Sequence, residues 1–93
     1  MNQKFTPTLR QLRAFAAVYQ LRKLSAAAEQ LSLTQSAVSR QIQQLEDSLG
    51  APLFERRHRA LALTEAGQVM QRATRDALER LHDATALIRP GTR

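Results

Sequence analysis

Gln35, Ser36, Ser39, Arg40 and Gln43 are the residues of this chain best equipped for recognition chemistry. If residues 35–49 form a helix, Ser36, Arg40, Gln43 and Asp47 share one face, Ser39 sits on its shoulder, and Gln35 projects from the first turn. These side chains suit nucleic-acid bases. An arginine can donate two bonds to guanine, a glutamine can pair with adenine, and a short serine can bond a base or touch a thymine methyl. A second cluster, Arg56-Arg57-His58-Arg59, suits phosphates or a narrow minor groove, where the potential is most negative. Ser25, Thr34 and Thr64 stand at expected helix starts, where hydroxyl and backbone N–H groups can bind phosphate. Each feature alone has a plainer meaning. A polar helix face is ordinarily solvated, and an arginine run is ordinarily a hairpin tip.

The elements that must position these groups follow from the pattern. Residues 1–7 read as an arm closed by Pro7. Thr8 and Gln11 form a capping box that starts a first helix, with Leu9, Leu12, Phe15, Ala16 and Tyr19 as its buried face and an end near residues 20–22. Ser25 is the expected N-cap of a short second helix that buries Ala27, Ala28 and Leu31 and breaks at Ser32-Leu33. Thr34 caps the third helix, with Leu33 and Val38 as a hydrophobic staple. Its apolar stripe of Val38, Ile42, Leu45 and Leu49 spans about 60° of the helix circumference. Gly50 stops it, and Pro52 prevents its continuation.

Residues 53–56 and 61–64 have short-strand character and flank a polar tip without glycine. Leu61 and Leu63 alternate with Ala60 and Ala62, the period of a half-buried strand. Thr64 caps a final helix from Glu65 to about Ile88, roughly 36 Å long at ~1.5 Å per residue. Met70, Ala73, Ala77, Leu81, Ala84 and Ile88 form its apolar stripe, widened by Val69, Leu78 and Leu87. A small domain can cover only the first turns of such a stripe, so the remainder is expected to be a dimer interface.

The bulk numbers agree. Ninety-three residues build one modest core, and without tryptophan it must come from Leu, Ala, Val and Ile. Cysteine is absent, which excludes a disulfide scaffold and a thiolate metal site, and His58 and His82 suggest no shared site. No apolar run approaches the ~18 residues of a membrane span, and the N-terminal residues lack a signal peptide's apolar stretch. The expectation is a cytoplasmic protein with no membrane partner. The net charge is +6, and residues 1–33 carry five cations against one acid. The last third is nearly balanced, five against four, so the excess favours a polyanion at the first two thirds.

The chain resembles the N-terminal DNA-binding region of LysR-type transcriptional regulators. The resemblance rests on Leu9-Arg10-Gln11-Leu12-Arg13-Ala14-Phe15, Ser25-Ala26-Ala27-Ala28 and Leu31. It continues through Thr34-Gln35-Ser36-Ala37-Val38-Ser39-Arg40-Gln41-Ile42, Leu45-Glu46 and Leu49-Gly50. It ends with Leu53-Phe54, Arg56, Arg59 and Leu63-Thr64-Glu65-Ala66-Gly67, covering roughly residues 8–89. Two departures stand out. Arg22-Lys23 occupies the turn before the second helix, where the family often has glycine, and this adds two cations there. Ser36 stands where many members have proline.

The resemblance implies a mostly α fold, a winged helix-turn-helix over residues 1–64, followed by a linker and dimerisation helix over 65–89. Residues 90–93 would begin a hinge to an effector-binding region that this chain does not contain, so a fragment or isolated domain is expected. It implies double-stranded DNA as partner, with Gln35, Ser36, Ser39 and Arg40 at family positions that meet DNA and Arg59 at the wing position suited to the minor groove. It further implies an antiparallel homodimer through the long helix, a roughly palindromic site, tetramers in many full-length members, and contact with the transcription machinery. No cofactor is expected in this fragment, and a small-molecule effector only for the absent region. No catalytic constellation or glycine-rich phosphate loop is visible. Two other readings remain at this point: a helical adaptor that uses the long helix, and another winged-helix family.

Overall fold

The computed structural model describes residues 4–89; residues 1–3 of the expected arm and the expected hinge at 90–93 lie outside the described residues. Four helices and one hairpin follow in the order α1 (Leu9–Leu21), α2 (Leu24–Leu31), α3 (Gln35–Leu49), β1 (Phe54–Arg57), β2 (Ala60–Leu63) and α4 (Glu65–Ile88). Helix α1 packs on α2, α3 and α4, and the hairpin lies against α1 and α4.

Three threonines start three of the helices. Thr8 accepts from the Gln11 N–H while the Gln11 side chain accepts from the Thr8 N–H, each at 3.0 Å, which completes the capping box. Thr34 and Thr64 accept from the N–H groups of Ala37 and Gly67, also at 3.0 Å. These bonds satisfy donors that a helix N-terminus otherwise leaves open. Helix α2 departs from expectation. Its N-cap is Lys23, with no side-chain cap bond, and Ser25 lies inside the first turn. The turn before α2 ends with Arg22 in the left-handed region, so the extended cap position falls on the next residue, two places before Ser25.

The core gathers Ala14, Phe15, Ala17 and Val18 of α1, Ala27 and Ala28 of α2, Val38, Ile42 and Leu45 of α3, and Leu53. Phe15 is its centre, fully buried and 5.1 Å from Tyr19 edge to face and 5.4 Å from Phe54. The alanines of α1 and α2 let the helices approach closely around it. Burial differs from the sequence expectation at several positions. Leu9 and Leu49 are exposed, whereas Gln11, spent on the capping box, is buried. Leu33 is exposed too, so the expected staple partner does not share Val38's burial. Each of these leucines stands at or beside a helix end, where the apolar stripe runs past its neighbours.

The β1–β2 hairpin is antiparallel with Arg57 opposite Ala60, so His58 and Arg59 alone form the loop. Both hold positive φ, 50° and 68°, the pattern of a type I′ turn built without glycine. The four residues of β2 are all half-buried rather than alternating. One face of the strand meets the core through Leu61 and Leu63. The N–H of Leu61 is tied to the turn after α1.

The α3–β1 connection is held by a carboxylate: Glu46 accepts from the Leu53 N–H at 2.7 Å. Thr64 donates to the Pro52 carbonyl at 2.7 Å, and the Thr64 N–H donates to the Leu53 carbonyl. Gly67, in the first turn of α4, presses on that same segment. A Cβ there would lie 2.1 Å from the Leu53 carbonyl oxygen. The start of α4 is therefore seated on the core, with Ala66 and Met70 packed against it, while Leu78, Leu81, His82 and Thr85 face α1 and α2 across an open groove and residues 79–89 are exposed.

Candidate nucleic-acid interface

The interface is built on α3. The turn before it is a Schellman motif at the end of α2, with Ser32 at φ 59° as the left-handed residue and the Leu33 N–H donating to the Ala28 carbonyl at 2.9 Å. That turn sets the angle between α2 and α3. Val38, Ile42 and Leu45 face inward, which leaves Gln35, Ser36, Ser39, Arg40 and Gln43 exposed. Those five, with Leu24 and Gln44, line one open groove. The Gln43 amide donates to the Asp47 carboxylate at 2.9 Å, which orients the amide and occupies one of its donors.

Beside this groove is a cleft between the α1–α2 turn, the start of α3 and the wing. It is lined by Arg22, Lys23, Leu24, Ser25, Gln35, Arg56, Arg59 and Leu61. Gln35 and Leu24 belong to both, so the two form one continuous surface. Five cations line it, Arg22, Lys23, Arg40, Arg56 and Arg59, and no acidic residue does. In the low-salt limit such a surface attracts polyanions strongly.

The sequence-predicted residues therefore divide. Ser25, Gln35, Ser36, Ser39, Arg40, Gln43, Arg56 and Arg59 come together on this surface. Arg57 lines neither part; its Nε is 2.9 Å from a carboxylate oxygen of Glu55, two residues earlier on the same strand. The hydroxyls of Thr34 and Thr64 accept from helix N–H groups, and that of Thr64 also donates to Pro52. Neither threonine lines the groove or the cleft. Arg22, Lys23, Leu24 and Gln44 join the surface although pattern reasoning did not select them. The signal for the first two was their unusual charge at a turn where the family often has glycine.

Along α4, Val69, Ala73, Leu81, Ala84 and Ile88 are exposed, as is Leu87. Met70 and Ala77 are half-buried, and Met70 packs on the core of its own chain. The apolar stripe is thus only partly spent internally. Among the described residues no group of His, Cys, Asp or Glu is arranged to hold a metal ion, and no helix is long and apolar enough to cross a membrane.

Known proteins share this arrangement. The sequence pattern of the family described as "Bacterial regulatory helix-turn-helix protein, lysR family" matches residues 9–68. Over 86 residues the chain is 45% identical to the HTH-type transcriptional regulator TrpI of Pseudomonas aeruginosa. That match covers 92% of this chain and 29% of TrpI, so the chain spans under a third of that relative's length. The BenM DNA-binding domain, solved in complex with catB site 1 DNA, superposes with a TM-score of 0.82 at 33% identity, covering 87% of this chain and 91% of that one. The CbnR DNA-binding domain, solved with DNA, gives a TM-score of 0.77 at 38% identity, covering 84% and 90%. The three-helix core, hairpin and long last helix are the winged helix-turn-helix of such domains. The chain belongs to the LysR family of bacterial regulatory helix-turn-helix proteins.

Proposed function

We propose that this chain binds double-stranded DNA sequence-specifically as a homodimer and so regulates transcription. The observation that carries the reading is the acid-free surface with five cations that joins the polar face of α3 to the wing. Helix α3 enters the major groove, whose width of ~12 Å admits a helix. Arg40 and Gln35 read base edges there, and Ser36 and Ser39 make shorter contacts. Arg59 at the wing tip reaches the neighbouring minor groove, and Arg56 meets the backbone. The DNA complexes of BenM and CbnR support this assignment, because each aligns with nearly the whole of a DNA-bound domain.

The exposed stripe on α4 pairs with the same stripe of a second copy. Two-fold symmetry then requires a roughly palindromic site, read by two α3 helices in successive major grooves. Any small-molecule effector, tetramer contacts and contacts to the transcription machinery belong to regions outside this chain. The DNA-binding part uses no cofactor and no catalytic step, and it works in the cytoplasm. Titration of duplex DNA over a salt series tests the reading. Affinity should fall steeply and linearly on logarithmic axes. Affinity indifferent to salt overturns it.

A further inference from the structure

Arg22 is bound to the wing by its main chain and its side chain together. Its carbonyl accepts from the Leu61 N–H at 3.2 Å, and its Nε–H donates to the Leu61 carbonyl at 3.0 Å. Both main-chain groups of Leu61 are thereby spent on one residue. Leu61 lies opposite Arg56 one step inside the two-residue loop. Its N–H and carbonyl point away from β1 there, along the outer edge of the hairpin. Arg22 closes that edge as a single-residue extra rung. A glycine at this position could supply the carbonyl but not the second bond. The arrangement holds although φ is 65° at Arg22, a region disfavoured for residues with a Cβ.

The guanidinium has five N–H donors, and Nε–H is the one spent within the protein. The other four remain available at the cleft shared with Lys23, Ser25, Gln35, Arg56 and Arg59. The cleft holds about 210 Å³. That is several times the ~30 Å³ share of one liquid water, ample for a phosphate group. Among the described residues the one ion pair is Arg57–Glu55, so none of the four cations in this cleft is paired. Like charges gathered from the α1–α2 turn and the wing repel one another, and an anion between them reverses the sign of that energy. The cleft also lies between the helix face that suits a major groove and the tip that suits a minor groove. A sugar-phosphate strand is what separates those grooves.

We propose that Arg22 is a positioning residue that straps the wing to the α1–α2 turn and, with Lys23, Ser25, Gln35, Arg56 and Arg59, completes a pocket for one DNA backbone phosphate. The DNA assignment rests on the function proposed above; the strap and the anion pocket do not. Two measurements test them. In the first, inorganic phosphate is titrated into the protein at constant ionic strength while the Arg22 Nε–H and Gln35 amide resonances are followed by NMR. Saturable shifts in the wild type, lost in Arg22→Gly, support the pocket. Shifts that chloride reproduces overturn it. Glycine accepts the left-handed backbone, so Arg22→Gly should fold.

The second measurement is duplex affinity over a salt series for Arg22→Gly, Arg22→Lys, Arg59→Ala and the Arg22→Gly/Arg59→Ala pair. Arg22→Gly should weaken binding roughly ten- to hundredfold, the range for a charge-assisted bond. It should cost far less once Arg59 is already alanine, because the strap then has no tip guanidinium left to aim. Arg22→Lys keeps the charge and should not restore affinity. Additive losses, or full rescue by lysine, overturn the positioning role. A wild type that shifts with phosphate but ignores duplex DNA removes the DNA reading and leaves the strap and anion pocket standing.

Discussion

At the scale of single residues, Arg40 and Thr74 mark two extremes, an open polar surface and a closed frame. Arg40 projects into the groove, and no partner within the chain holds its guanidinium among the described residues. Arg40→Ala should therefore cost more on a specific duplex than on random DNA, by about 1–3 kcal/mol for a bidentate guanine contact. Equal losses on both would make it a phosphate contact. Thr74 is a frame residue, 1% exposed, and its hydroxyl has no hydrogen-bond partner. Thr74→Val keeps the shape and removes an unsatisfied polar atom, so it should raise stability by about 1–2 kcal/mol, read as a higher denaturation midpoint. A lower midpoint would show that the hydroxyl is satisfied in solution. Tyr19 supplies a pH handle. Burial pushes its hydroxyl above the usual value of 10.0; the Arg75 guanidinium opposes this and the Glu79 carboxylate adds to it. The folded state thus favours the protonated phenol. Its contribution is complete below pH 10 and is lost as pH rises through the raised value. Tyr19→Phe should flatten the alkaline fall in stability and leave the neutral range unchanged.

At the scale of elements, Gly67 shows how packing reverses an intrinsic preference. In an exposed helix, glycine to alanine gains ~1 kcal/mol. Here the added methyl meets the Leu53 carbonyl and the Leu63 side chain, so Gly67→Ala should lower stability by about 1–3 kcal/mol in a thermal or denaturant melt. A gain would mean that α4 slides freely on the α3–β1 connection. The caps at Thr8, Thr34 and Thr64 and the stop at Gly50 were legible in the sequence, because each is settled within a few residues. So were the helix faces of α3 and the extent of α4. The left-handed turns at Arg22, Ser32, His58 and Arg59 were not, because none carries glycine; the one at Arg22 is tied to Leu61 of the hairpin, far along the chain. The misplaced cap at Ser25 follows from the first of these. The cleft beside Gln35 joins residues from positions 22 to 61, and no local pattern encodes a meeting over that separation. The polar face of α3 needed only helical periodicity and could be read directly.

At the scale of the whole molecule, unbalanced positive charge and an open apolar stripe lie on different elements. Five cations without an acid line the α3–wing surface, and Val69, Leu81, Leu87 and Ile88 are exposed along α4. Leu81→Asp puts a charge into the middle of the stripe and should convert the proposed dimer to monomer in sedimentation; an unchanged dimer refutes that interface. Duplex affinity should fall with it, since one copy engages only half a site. Helix α4 has a further property. Across its 24 residues there is no proline, and its one glycine lies in the first turn. It is a rod whose rotational phase is counted in residues. Inserting one residue after Ala73 turns everything beyond by about 100° and should split the stripe. Inserting seven returns it to within about 20° while lengthening the rod by ~10 Å. A dimer built on that rod would survive the second change with its two reading heads respaced, so half-site separation becomes a length written in helix turns.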